Sequence, residues 1–158
     1  MAEYNRWMND KLYQACHQLG EDLLKADRGA FFGSIHHTLN HILWGDRVWL
    51  SRFNGQGYQV GTIGEVLYES FDELSSARRA LDQDLMDWAQ AVDQAWLDTP
   101  MTWTSKLYGM TQTVPRWVLV THMFNHQTHH RGQITTLLSQ LGVDIGITDM
   151  PMLPLLNT

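Results

Sequence analysis

The chain has 158 residues, with 17 acidic against 11 basic side chains and a formal charge of −6. That length fits one domain over residues 1–158, able to fold without a metal or disulfide framework, and a single cysteine, Cys16, excludes an internal disulfide. An acidic chain without a Lys/Arg cluster argues against nucleic-acid binding, and no signal-like start or run of about 18 apolar residues is present, so a cytoplasmic protein with no membrane segment is expected.

In chain order the pattern reads as helices joined by loops. Residues 2–19 carry Tyr4, Met8, Leu12, Cys16 and Leu19 at helical spacing, and Gly20 closes the segment. A loop of polar and small residues leads to Phe31-Phe32-Gly33-Ser34, where Ser34 fits an N-cap. Residues 35–53 follow as a second helix, dense in apolar side chains. Glycines 55, 57, 61 and 64 mark residues 54–64 as a loop. Leu67, Phe71, Leu74, Leu81, Leu85, Trp88 and Val92 then step by threes and fours, a long bundle helix interrupted only at Arg78.

Residues 98–114 break the pattern. They are rich in threonine, with Tyr108-Gly109 near the middle, and a small hairpin is expected there. Pro115 suits the first turn of a fourth helix, which runs to Leu141 and stops at Gly142. The tail with Pro151 and Pro154 is expected to be extended. The fold class is therefore all-α: a four-helix bundle with a long irregular crossover before its last helix.

The stretch NHQTHHRGQI (residues 125–134) holds three of the eight histidines. With His126 set at zero on a helical wheel of about 100° per residue, the apolar stripe of the fourth helix centres near 60–70°. His126 and His130, the latter at about 40°, lie inside that stripe, while His122 and His129 fall on its border at about −40° and −60°. Two imidazoles on an apolar face need partners, at a cost of about 1–3 kcal/mol each without them. One metal ion satisfies both, since i, i+4 histidines can share it. Bonds to core side chains or water would do the same.

The second helix adds His36, His37 and His41. His37 and His41 are again i, i+4, and spacing does not choose between them. His36 points elsewhere, toward solvent or the cap. His17, alone on the first helix, reads as an ordinary polar residue.

The stretches YNRWMNDKLY, LNHILWGDRVWLSRF and HMFNHQTHHRGQI together resemble the DinB-like proteins, bacterial DNA damage-inducible proteins often described as metal-dependent hydrolases or transferases. The ending His130-Arg131-Gly132-Gln133 is the most specific piece. The resemblance implies a four-helix bundle, a homodimer, and a divalent metal held by His41, His126 and His130. It thus selects His41 over His37.

Three imidazoles would leave such an ion an open position, as in catalytic zinc sites. Zinc is the first expectation, and nickel, iron or manganese also suit histidine ligands. The superfamily that the chain resembles includes thiol-dependent transferases and isomerases. The implied chemistry is activation of a low-molecular-weight thiol or water toward a small electrophilic substrate. The competing reading is a non-enzymatic structural or sensing metal in a stress response, which a fourth protein ligand would favour, with His37, His129 and Asp46 as candidates.

Gln133, at about −20° on the wheel, is placed to orient a ligand or to bond between helices. Trp44, Trp49 and Trp117 are pocket walls or plain core. Cys16, on an apolar face, reads as inert.

Overall fold

The computed structural model describes every residue except 56, 59, 106, 107, 157 and 158, and the backbone alone of Leu155. Helices α1 (Ala2–Cys16), α2 (Glu21–Lys25), α3 (Ile35–Asn54), α4 (Phe71–Ala91) and α5 (Gln94–Asp98) are followed by strands β1 (Pro100–Ser105) and β2 (Met110–Pro115) and by helix α6 (Arg116–Gln140). The four long helices form the bundle. α1 packs on α4 and α6, and α3 packs on the same two, so α3 and α6 are neighbours along their length. Leu12, Leu39, Leu43, Leu50, Leu74, Leu85, Met123 and Leu138 lie in one core cluster.

Local signals fix the ends of these helices. Ser34 caps α3 by accepting from the His37 amide at 3.1 Å, and Gly55, at φ 73°, ends it by donating to Ser51. The seam expected from Leu67 starts later, at Phe71, because Ser70 caps α4. The amides of Leu67 and Tyr68 donate instead to Oδ1 of buried Asn40, at 2.9 and 3.0 Å.

The threonine-rich crossover is an antiparallel hairpin with Trp103 opposite Gln112. Its exposed threonines pair by hydroxyl, Thr102 with Thr113 at 2.7 Å and Thr104 with Thr111 at 2.9 Å. Residues 106 and 107 of that crossover, and 56 and 59 of the glycine-rich loop, lie outside the described residues. Two short helices were not legible in the pattern. α2 is a single turn held partly by Lys25–Glu21, and α5 starts where Asp93 accepts from the Trp96 amide at 2.7 Å. The tail is not simply extended. It makes two 3-10 turns, Met150–Met152 and Pro154–Leu156, after the Tyr4 hydroxyl has bonded the Thr148 carbonyl at 2.7 Å.

The interruption at Arg78 is a buried ion cluster. Arg78 is 1 % exposed, and its guanidinium lies 2.5 Å from Asp46 and 2.9 Å from Asp82. Asn9 donates to Asp82, Gln127 donates to Asp46, and Arg131 donates to Gln127 and Asn5. Two guanidinium and two carboxylate groups thus balance inside the bundle, tying α1, α3, α4 and α6 together. Burial works against the charge of Arg78, but Asp82 and Asp46 outweigh it and hold its pKa above the ordinary value.

Candidate metal centre

His41 comes from the middle of α3, and His126 and His130 come from α6. The bundle brings these three together. Nε2 of His126 lies 3.1 Å from Nε2 of His41 and 3.1 Å from Nε2 of His130. One ligand atom from each lies within 4.8 Å of the others. Two nitrogens bound at about 2.0–2.1 Å to a tetrahedral ion stand about 3.3 Å apart, so the spacing suits three ligands of one ion. The three histidines could hold a metal ion.

Gly45 makes this approach available. It lies one turn after His41, where a Cβ would stand 3.0 Å from Cε1 and 3.3 Å from Nδ1 of His126. A side chain there would push the α6 imidazole away from its partner on α3.

Gln133 orients His130. Its Oε1 is 2.8 Å from His130 Nδ1, and its Nε2 is 3.4 Å from Nε2 of His129. An amide oxygen only accepts, so Nδ1 of His130 carries the hydrogen and Nε2 presents its lone pair to the cluster. This favours ligand orientation over a bond between helices, because both partners of Gln133 lie on its own helix.

The rings are held neutral. Burial, reinforced by His130, lowers the His41 pKa to about 4. Burial lowers His126 to about 3, with the neighbouring imidazoles adding to it. For His130 burial also lowers the value, opposed by the Gln133 hydrogen bond. Neutral imidazole is the form that binds metals.

None of the candidate fourth ligands joins the group. His37 is exposed at the start of α3, and His129 is exposed beside Gln133. Asp46 is committed to Arg78 and Gln127. His36, expected toward solvent, is instead buried with Nδ1 3.4 Å from the Asn40 amide. Asn40, a turn away, anchors the 67–68 segment against that face, which the helix pattern alone did not reveal. His17 has an ordinary partner, Ser75 Oγ at 3.3 Å. Burial pushes the Cys16 thiol up to about 12, as suits an inert side chain.

The aromatic residues divide. Trp44 lies nearly parallel to the His41 ring, with centroids 5.7 Å apart. Trp49 packs edge-on to His122, and Trp117 is half exposed. Phe32, outside the three tryptophans, stacks on His41 at 3.9 Å between centroids.

A four-helix bundle in which two neighbouring helices bring three histidines to one point defines a helical protein with a site that could hold a metal ion. The chain belongs to the DinB family, whose model matches residues 1–156. It is 28% identical over 155 residues to Protein DinB of Bacillus subtilis, covering 94% of this chain and 88% of that one. It is also 28% identical over 90 residues to the uncharacterized protein YrdA of the same organism, covering 57% of this chain and 47% of that one. A DinB-like protein from Bacillus cereus has the same fold, with a TM-score of 0.67 at 20% identity and coverage of 89% and 90% of the two chains. No helix among the described residues is long and apolar enough to cross a membrane.

Proposed function

We propose that His41, His126 and His130 bind one divalent metal ion, zinc first, and that the protein is a metalloenzyme acting on a small electrophilic molecule. The observation that carries this reading is the meeting of three Nε2 atoms with no fourth protein donor beside them among the described residues. An ion held by three imidazoles keeps a position for an exogenous ligand, whereas structural zinc is usually closed by four protein groups.

When bound, such an ion supplies Lewis acidity that brings water or a low-molecular-weight thiol to its nucleophilic form near neutral pH. The chain's own contribution is to hold the three rings neutral and oriented. Gln133 fixes the hydrogen of His130 on Nδ1, Gly45 admits His126 to the cluster, and Phe32 shields the face of His41 from water. Transfer of a thiol or hydrolysis by water are the reaction classes that this arrangement suits. A homodimer of cytoplasmic protein remains the expected working form.

The test is metal content of untagged protein, measured for the wild type and for His41→Ala, His126→Ala, His130→Ala and His129→Ala. Near-stoichiometric metal in the wild type and His129→Ala, lost in the other three, is the expected result. Equal metal in all, or none in any after reconstitution, would sink the proposal.

A further inference from the structure

Residues 29–33, Gly-Ala-Phe-Phe-Gly, form a turn whose two ends are glycines in the left-handed region, at φ 66° and 76°. Hydrogen bonds close it on both sides. The Arg28 amide donates to the Gly33 carbonyl at 2.8 Å, the Gly33 amide to the Ala30 carbonyl at 2.8 Å, and the Gly29 amide to Asp27 Oδ1 at 2.9 Å. A turn tied in this way fixes the backbone that carries its two large side chains.

Those side chains are Phe31 and Phe32; Phe32 stands at the histidine cluster, and Phe31 packs on its outer side. Phe32 lies on His41 with the planes 25° apart, and its centroid is 5.5 Å from that of His130. Phe31 meets Phe32 edge-on at 4.8 Å and is 83% exposed. An aromatic ring kept in water forgoes the stabilisation of burial, and on a pre-formed turn beside a site it is placed for contact. Trp44 also flanks His41, its ring nearly parallel at 5.7 Å between centroids, so two aromatic rings lie against that ligand.

We propose that Phe31 and Phe32 form the specificity wall of this centre, and that the molecule taken there carries a flat apolar group, an aryl ring being the simplest, next to its metal-binding atom. This rests on the metal-centre reading above. A charged or strongly hydroxylated group would lose hydration against these two rings.

The experiment loads the full chain with Co²⁺ and titrates it with two thiols, phenylmethanethiol and 2-mercaptoethanol, following the cobalt–thiolate absorption. The wild type should bind phenylmethanethiol at least ten-fold more tightly. Phe31→Ala, whose exposed ring is not needed for folding, should cut that ratio at least three-fold with unchanged cobalt uptake, and Phe31→Ala/Phe32→Ala, compared at cobalt saturation, should bring it near one. Cobalt uptake with equal affinity for the two thiols, or a ratio untouched in Phe31→Ala, would overturn the wall and leave the metal centre standing. No cobalt uptake by the wild type would overturn the metal centre and this inference with it.

Discussion

Gln133 accepts from His130 within the same helix, Oε1 to Nδ1 at 2.8 Å, while its amide nitrogen faces His129 at 3.4 Å. With Oε1 on Nδ1, His130 carries its hydrogen there and turns the lone pair of Nε2 to the cluster. Gln133→Leu keeps the bulk and removes the acceptor. Metal affinity in a chelator competition should fall by about ten-fold or more, the usual cost of losing such a partner. The apo protein should melt near the wild-type temperature. Unchanged affinity would show that packing alone orients His130.

Gly45 separates folding from metal binding. Alanine there improves helix propensity by about 1 kcal/mol, yet its Cβ stands 3.0 Å from Cε1 of His126, so the ring must give way. Gly45→Ala should leave apo stability within about 1 kcal/mol of the wild type. Its metal affinity should nonetheless drop several-fold. Wild-type affinity in the same competition titration would mean that the cluster tolerates the displacement.

The bundle and the histidines of the candidate site were legible in the sequence, for reasons specific to each residue. His126 and His130 were legible because a long helix keeps its phase, so two imidazoles stood out against leucines on one face. Spacing did not separate His37 from His41, since both lie on α3 a turn apart. The structure separates them: His37 sits in the first turn, where its amide meets the Ser34 cap, and its ring is exposed. Gln127 and Arg131 fall at about 100° and 140° on the same wheel, within or near the apolar stripe, but their polar type hid them as core. They are buried because Asp46 and Asn5 arrive from other helices. Gly45 was silent for the same reason, since its meaning lies in a ring 81 positions on. Partners across a bundle leave no local period to read.

The depressed histidines give stability a defined pH dependence in the metal-free protein. His41, at about 4, and His126, at about 3, lie below the ordinary value of 6.5. The unfolded chain therefore takes up protons that the folded chain refuses, between pH 6.5 and about 4. Their contribution is fully present above pH 6.5 and is lost as pH falls through that window. Unfolding free energies of apo protein from urea titrations at pH 7.5 and 5 should differ by on the order of 1 kcal/mol per histidine. His41→Gln should reduce the difference. An identical pH slope in that variant would place the titration elsewhere.

Arg78 and Asp46 supply the converse case, a charged pair whose purpose is architecture. Both are sealed from solvent, 2.5 Å apart, and Asp82 completes the pairing at 2.9 Å. Arg78→Met preserves the packing but leaves two buried carboxylates with only the Arg131 guanidinium to offset them. That should cost about 3–5 kcal/mol, enough to lower the melting temperature sharply. Adding Asp46→Asn and Asp82→Asn to Arg78→Met removes both carboxylates but leaves Arg131 as the one buried charge, so it should recover only part of the loss. Because Asp46 follows Gly45 directly and Gln127 follows His126, the network also sets the register in which α3 and α6 present their histidines. The triple variant should accordingly regain more stability than metal affinity. Full recovery of both would reduce the cluster to a buried ion pair with no bearing on the site, while recovery of neither would show that shape, not charge balance, is what Arg78 provides.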